Sequence, residues 1–130
     1  PSRMEAVRAF AAMPQAEALA AANKRIGNIL KKAPKADSSQ FSAAKMTLAA
    51  EKNLHLSMAQ NVTQANDFYA QKNYTDSLKT LAALRDPVDA FFNDVMVNDP
   101  DEDIRRNRLG LLSQLHDSMN RVADLSRLEN

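Results

Sequence analysis

The sequence predicts an all-α fold, a bundle of five or six helices, from its composition and its pattern. Its 130 residues include only two glycines and many alanines and leucines, whereas strand proteins of this size usually need more turn glycines and β-branched residues. Apolar residues recur at the three- and four-residue spacing of helices, and the connections between them are short. A chain of this length typically forms one domain with a modest core. We therefore expect residues 1–130 to form a single helical domain.

The first third of the chain predicts two helices, one short and one long. The short helix covers residues 4–12, and Pro14 ends it or introduces the next. The long helix covers about residues 15–33 and stops at Pro34, because the residue before a proline is pushed away from helical angles. A helical wheel gives the long helix one apolar side and one polar, basic side. The apolar side is formed by Leu19, Ala22, Ile26, Ile29, Leu30 and Ala33. The other side carries Lys24, Asn28 and Lys31, with Arg25 and Lys32 flanking it.

The middle of the chain predicts a long helix that ends near Gln71, with the part before Leu48 as a separate strap. Residues 72–74 follow as a turn, and Thr75 is a plausible cap for the next helix. The long helix carries an apolar stripe made of Leu54, Met58, Val62, Ala65 and Tyr69. The helix after the turn contains Leu78, Leu81 and Leu84.

Residues 84–112 predict a helical hairpin with an acidic turn. Asp86 can cap a helix whose first position is Pro87, where the missing N–H costs nothing. The acidic run 99–103 ends that helix and opens another near Ile104. One apolar face of the first helix is formed by Val88, Phe91, Phe92, Val95 and Met96. The stripe of the second is formed by Leu111, Leu112, Leu115, Met119 and Val122.

The charge distribution is more informative than the net charge of +1. Residues 24–35 contain five cations and no acid, whereas residues 86–103 contain seven acids and no cation. This asymmetry suggests one surface that could accept phosphate and another that could repel it. The sequence contains no cysteine and no apolar run near the ~20 residues that span a bilayer, which suits a soluble protein in a reducing cytoplasm. A start at Pro1 without an initiating methionine suggests an excised or processed piece of a longer protein.

A specific resemblance covers nearly the whole chain. It is carried by the run LxxLRDPVDAFFxxVMV at residues 81–97, and by Arg105, Asn107, Arg108, Leu109, Leu111 and Leu112 after it. Residues 21–26, 28–30 and 122–126 fit the same pattern. Together they closely resemble the C-terminal end of the bacterial glycyl-tRNA synthetase beta subunit. In that family the region is a helical anticodon-binding domain, related to domains named for a D-A-L-R tetrapeptide. The corresponding residues are Ala82, Ala83, Leu84 and Arg85, so no role of the motif's Asp transfers to this chain.

The resemblance implies a function for the domain and for the protein around it. The domain would bind the anticodon region of tRNA-Gly, without a cofactor or metal of its own. The parent enzyme would be a cytoplasmic ligase that joins glycine to tRNA, using ATP and magnesium at a catalytic site on a separate alpha subunit. No enzyme motif is visible in this chain, since His55 and His116 are isolated and no glycine-rich loop precedes a helix.

Two groups of residues are candidates for RNA contact, because Lys and Arg bind phosphates and Asn and Arg can also hydrogen-bond to unpaired bases. The first group lies on the long basic helix: Asn23, Lys24, Arg25, Asn28, Lys31 and Lys32. The second group surrounds the hairpin: Arg85, Arg105, Asn107 and Arg108. The alternative for the first group is a solvated face that binds nothing.

Other candidate residues favour structural roles. We expect Arg108 to pair with Asp86 or Asp89, because a partly buried guanidinium needs a carboxylate or carbonyl partner. Arg105 and Arg106 remain open between RNA and solvent. Phe91 and Phe92 could stack on bases, but their spacing with Val88 and Val95 favours core packing. Tyr74 is expected to be more exposed than Tyr69.

Two alternative functions remain open from the sequence. The first is a helical interaction or scaffold module that docks a protein through an exposed apolar groove and never touches RNA; its binding would barely respond to salt. The second is the anticodon domain of another synthetase with the same bundle. A small stand-alone enzyme is disfavoured, because it would require a pocket with convergent titratable groups.

Overall fold

The computed structural model describes residues 8, 12–33 and 41–128, without the side chains of residues 15 and 121–128. The described part contains five α-helices and one 3₁₀ helix. In chain order they are α1 (Pro14–Lys32), the 3₁₀ helix (Ala43–Lys45), α2 (Ala49–Ala70), α3 (Tyr74–Ala82), α4 (Arg85–Asp94) and α5 (Glu102–Leu128). The predicted all-α bundle is confirmed. The predicted short helix over residues 4–12 falls almost entirely outside the described residues.

One apolar core joins the helices, with α5 packed against α1, and α2 against α3 and α4. The buried side chains come from every α-helix, and each of the larger ones contributes about 1.5–3 kcal/mol on burial. They include Leu19 and Ile26 of α1, Leu54 and Met58 of α2, Leu78 of α3, Val88 and Phe91 of α4, and Leu111, Leu112 and Leu115 of α5. The period-3.6 stripes that the sequence predicts for these helices therefore face the core.

Helix α1 matches its prediction within one residue at each end. Pro14 occupies its first position, where the missing N–H leaves no intrahelical bond unmade. Lys31 and Lys32 lie in the last turn, where cations interact favourably with the helix dipole. Its apolar side contacts the core, so its basic side faces outward.

The connection from α2 to α3 is a tight reversal in which one residue serves both helices. Lys72 adopts a left-handed φ of 63°, and the Asn73 N–H donates to the Phe68 carbonyl at 2.8 Å, as in a Schellman termination. The side-chain oxygen of Asn73 also accepts from the Asp76 N–H at 3.4 Å. The prediction that Thr75 caps α3 is therefore wrong, since Asn73 supplies the cap two residues earlier.

The two tyrosines beside this reversal lie in the opposite order of exposure to the predicted one. Tyr69 is 40 % exposed, whereas Tyr74 is half-buried. Their rings meet edge to face with centroids 5.3 Å apart. Tyr74 loses exposure because it begins α3 rather than belonging to the turn.

The junction between α3 and α4 corrects the predicted cap at Asp86. The amides of Ala83 and Leu84 donate to carbonyls three residues earlier, and Leu84 keeps helical angles. The chain therefore tightens for one turn without leaving helical geometry, and α4 begins at Arg85. Pro87 is accommodated as the third residue of α4, because first-turn N–H groups have no intrahelical partner.

The connection from α4 to α5 follows the predicted acidic turn but not the predicted length of α4. Since α4 ends at Asp94, Met96 lies beyond it and is 64 % exposed, so its assignment to the apolar face is wrong. Asp101 accepts hydrogen bonds from the Asp103 and Ile104 amides at 2.9 and 3.2 Å. It thereby caps the start of α5.

Candidate nucleic-acid interface

The basic face of α1 presents most of its candidate side chains to solvent. Six residues were predicted here, and five of them are exposed: Lys24, Arg25, Asn28, Lys31 and Lys32. The spacing of α1 causes this, because the buried positions Leu19, Ala22 and Ile26 turn the opposite side outward. The helix therefore offers several cations and an amide along one open surface.

A groove of about 520 Å³ lies between the C-terminal half of α1, the end of α4 and the start of α5. Its described lining contains three cations and no carboxylate. The cations are Arg25, Lys32 and Arg105, and the apolar and neutral part is formed by Ile29, Ala33, Phe92, Val95, Met96, Val97, Asn98 and Leu109. We call this the basic groove. Two of the candidate groups, on α1 and α5, therefore meet at one site.

Arg25 and Phe92 make the closest described contact between α1 and α4 in the basic groove. The guanidinium carbon of Arg25 lies 4.2 Å from the centre of the Phe92 ring, a cation–π distance. Phe92 is half-buried, whereas Phe91 beside it is fully buried. The core role predicted for both rings is thus confirmed for Phe91, while Phe92 also lines an open site.

Arg105 reaches the basic groove from the second turn of α5. Its side chain is half-buried, and its Nη1 donates to the Asp99 carbonyl at 3.3 Å. A carbonyl leaves the positive charge uncompensated, so Arg105 remains able to attract an anion. Arg106 instead pairs with Glu102 one turn earlier.

Asn23 differs from the other α1 candidates because it faces α5. Its amide nitrogen is 3.5 Å from the Asn120 side-chain oxygen, and its own side-chain oxygen is buried without a partner among the described residues. A second depression, of about 740 Å³, joins Asn23, Lys24, Gly27, Asn28, Lys31 and His116, together with Leu30 and Ala33. A third, of about 440 Å³, joins Ala21, Lys24, Arg25, Asn28, Ile29 and Lys32.

Arg85 lies apart from these depressions. It is the first residue of α4, two turns before Phe92 and about 10 Å away along the axis. Its Nε lies 3.6 Å from the Asp89 carboxylate in a largely exposed pair. Arg85 lines none of the three depressions described above.

Arg108 has a carboxylate partner, as predicted, but the expected partners are wrong. Its Nη2 lies 3.0 Å from the Glu51 carboxylate, and the two side chains are 4 % and 1 % exposed. Nη1 donates to the Met96 carbonyl at 2.6 Å and lies 3.4 Å from the Asp99 carboxylate. Asp86 and Asp89 lie on α4, whereas Arg108 points toward the start of α2. Burial removes Arg108 from the surface that could meet RNA.

Asn107 is a structural residue for the same reason. It is 3 % exposed, and its side-chain oxygen accepts from the Ser42 N–H at 2.7 Å. It therefore holds the segment before the 3₁₀ helix against α5. No side chain of the described residues groups with others into a metal site, and none of the helices in that part is long and apolar enough to cross a membrane.

Comparison with known proteins assigns the chain to a family. A family model described as the DALR anticodon binding domain matches residues 19–126. The chain belongs to the DALR anticodon binding domain family. This result agrees with the helical bundle, and the match extends from the buried side of α1 to the end of α5. It also agrees with the tetrapeptide at residues 82–85, which ends α3 and begins α4.

This DALR domain is also similar to curated proteins named glycine–tRNA ligase beta subunit. The relative from Delftia acidovorans is 58 % identical over 126 residues, which are 97 % of this chain and 18 % of the relative. The relative from Leptothrix cholodnii is 57 % identical over 128 residues, 98 % of this chain and 18 % of its own length. The chain thus spans about a fifth of the length of these relatives. The resemblance described from the sequence is confirmed.

Sequence reasoning missed two features of the DALR domain's surface. It placed Phe92 in the core, although α4 ends two residues later and leaves one side of the ring in the basic groove. It also gave no role to Asn98, which lines the groove from the connection between α4 and α5. Only the position of α4's end, at Asp94, could have signalled both.

Proposed function

We propose that this DALR domain binds the anticodon end of tRNA-Gly as part of a glycine–tRNA ligase beta subunit. The observation that carries the proposal is the exposed cationic surface of α1, which continues into a groove lined by three cations and no described carboxylate. Clustered Lys and Arg attract phosphates, and Asn28 and Arg25 can hydrogen-bond to unpaired bases. Family membership supports anticodon binding, and the printed name of the relatives supports the glycine enzyme over another synthetase.

The proposal assigns the domain a binding role. On this proposal, residues 1–130 form one domain of a longer cytoplasmic subunit, which works with an alpha subunit. ATP and magnesium would act at the catalytic site of the alpha subunit, and this domain would hold neither. Its contribution would be affinity and discrimination between tRNAs.

The test is binding of tRNA-Gly by the full beta subunit, together with its alpha subunit, at two salt concentrations. Each phosphate neutralised on a single strand contributes about −0.7 to the slope of log affinity against log salt, so four contacts predict a roughly sevenfold loss when salt doubles. Lys24→Ala with Arg25→Ala should reduce both the affinity and this slope. Glycine codons begin with two guanines, so replacing the two pairing cytosines of the anticodon tests base reading.

The outcomes separate the proposed function from its rivals. Weaker binding of the replaced tRNA supports base recognition, whereas equal binding of both tRNAs limits the domain to phosphate contacts. Affinity that stays constant between the two salt concentrations, and is unchanged in the α1 double variant, contradicts the proposal. That result would favour the helical interaction module that does not bind RNA.

A further inference from the structure

The Phe92 ring is held in place from one side and accessible from the other. Phe91 packs against it edge to face, with ring centroids 5.6 Å apart and planes at 86°, so the buried neighbour fixes the orientation of Phe92. The Arg25 guanidinium covers the ring from the α1 side. Arg25 is exposed and belongs to a long side chain, so it can move without disturbing the core. The ring and the guanidinium thus form two surfaces that can part.

The surroundings of this pair have the chemistry of a nucleotide site. Val95, Val97 and Leu109 give the basic groove an apolar wall, while Lys32 and Arg105 add positive charge at its edge. A volume of about 520 Å³ falls in the range of roughly 300–1,000 Å³ for small-ligand sites. An unpaired nucleotide combines a flat aromatic base with an anionic phosphate, which matches a ring, a guanidinium plane and flanking cations.

We propose that the basic groove holds one unpaired nucleotide of the bound RNA, with its base between the Phe92 ring and the Arg25 guanidinium. The phosphate on one side of that nucleotide lies against Lys32 or Arg105. Asn98, at the mouth of the groove, is the side chain placed to donate or accept a hydrogen bond at the base edge. This inference rests on the proposed function, because it identifies where on the domain a base of the tRNA is bound.

The first experiment compares Phe92→Leu with Phe92→Tyr in the full beta subunit assembled with its alpha subunit. Leucine keeps the apolar contact with the core but removes the aromatic face, whereas tyrosine keeps it. Because base stacking on an aromatic ring contributes about 1–3 kcal/mol, Phe92→Leu should weaken tRNA-Gly binding by about 5- to 100-fold. Phe92→Tyr should stay within about twofold of the unsubstituted protein. The salt slope should be unchanged in both, since neither removes a charge.

A second measurement locates the nucleotide and does not depend on the stability of the leucine variant. Abasic nucleotides are placed one at a time through the anticodon loop. One position should weaken binding to the unsubstituted protein and have no further effect on Phe92→Leu, because both changes remove the same contact. A 2-aminopurine at that position should lose fluorescence on binding, since the base stacks on the ring.

A matched pair of cation substitutions tests the part played by Arg25. Arg25→Ala should weaken binding of the intact tRNA more than Lys24→Ala, because Arg25 covers Phe92 while Lys24 does not line the basic groove. Arg25→Ala should also reduce the penalty of the abasic nucleotide, because the base then loses one of its two stacking surfaces.

The results that overturn this inference differ from those that overturn the proposed function. Salt-sensitive binding by the unsubstituted protein, with equal affinity for Phe92→Leu and additive effects at every abasic position, removes the stacking site and leaves the proposed function intact. Absence of salt-sensitive binding by the unsubstituted protein removes both. Competition for the groove by an acidic amphipathic peptide, without any effect of abasic nucleotides, also overturns the nucleotide site.

Discussion

Arg25 and Arg108 carry the same guanidinium group in opposite surroundings. Arg108 is 4 % exposed and meets a carboxylate, a carbonyl and a hydroxyl at the start of α2 and the end of α4. Arg25 is exposed on α1 and covers an aromatic ring at the rim of a groove. A buried guanidinium needs fixed anionic partners, because an unpaired charge in the interior is costly. An exposed one keeps its hydration and can exchange partners, so it suits a binding surface.

This difference divides the cations of the domain into two functional groups. Removal of a partner of Arg108 should change stability, whereas removal of a groove cation should change binding. Arg105 and Arg108 show how sharp the division is, since they lie one turn apart on α5 and only Arg108 is buried.

The largest expected effect is on the partner of Arg108. Glu51→Ala should lower the free energy of unfolding by about 3–5 kcal/mol, because it leaves the Arg108 charge buried without its main carboxylate. The Glu51 carboxylate also accepts the Thr47 hydroxyl and the Leu48 N–H, at 3.1 and 3.2 Å, so the start of α2 loses support as well. Urea unfolding of the domain checks this prediction.

The matched control for Glu51→Ala replaces both charges. Glu51→Leu combined with Arg108→Met should unfold at a free energy much closer to that of the unsubstituted domain, because removing the pair together leaves no uncompensated charge. A double variant as unstable as the sum of its two single variants would show that the pair itself, rather than the unpaired charge, determines the loss.

The next effect should appear in binding without a change in stability. Lys32→Ala removes one exposed cation of the basic groove, so the salt slope for tRNA should become shallower by about 0.7. The free energy of unfolding should stay within about 0.5 kcal/mol, as is usual for surface substitutions. Filter binding over a salt series and urea unfolding of the same variant give both values. An unchanged slope would exclude Lys32 from phosphate contact.

The smallest effect is expected at Arg85. Its pair with Asp89 is largely exposed, and such pairs contribute about 0–1 kcal/mol. Arg85→Ala should therefore change unfolding very little, and tRNA affinity by less than about twofold, because Arg85 lines none of the described depressions. Tenfold weaker binding would show that the RNA surface extends along α4 to its first residue.

Local pattern was sufficient to predict most of the helices and one face of the site. The stripe of α1 predicted that Leu19 and Ile26 are buried, and this in turn placed Lys24 and Lys31 outside. The prediction succeeded because a 3.6-residue period over five turns has one solution. Three junctions were less predictable, since Asn73 competed with Thr75 for a cap and the chain before Pro87 stayed helical with tighter bonds.

Tertiary partners could not be predicted, because no local rule relates residues far apart in sequence. Glu51 and Arg108 are separated by 57 residues, and their pairing depends on how α2 and α5 pack. The two aromatic neighbours illustrate a subtler limit. Phe91 and Phe92 are equivalent in an apolar pattern, but only the packing of α1 beside the end of α4 makes one of them a groove residue.

The reversal at Asn73 constrains how the domain can change in length. Because Asn73 closes α2 through its backbone and opens α3 through its side chain, the two helices share a residue and have no spacer between them. An inserted residue would separate the two roles and leave one helix end without its cap. Insertions in this half of the molecule should therefore be tolerated at the connection between α4 and α5, where several residues separate the helices, and not at the α2–α3 reversal.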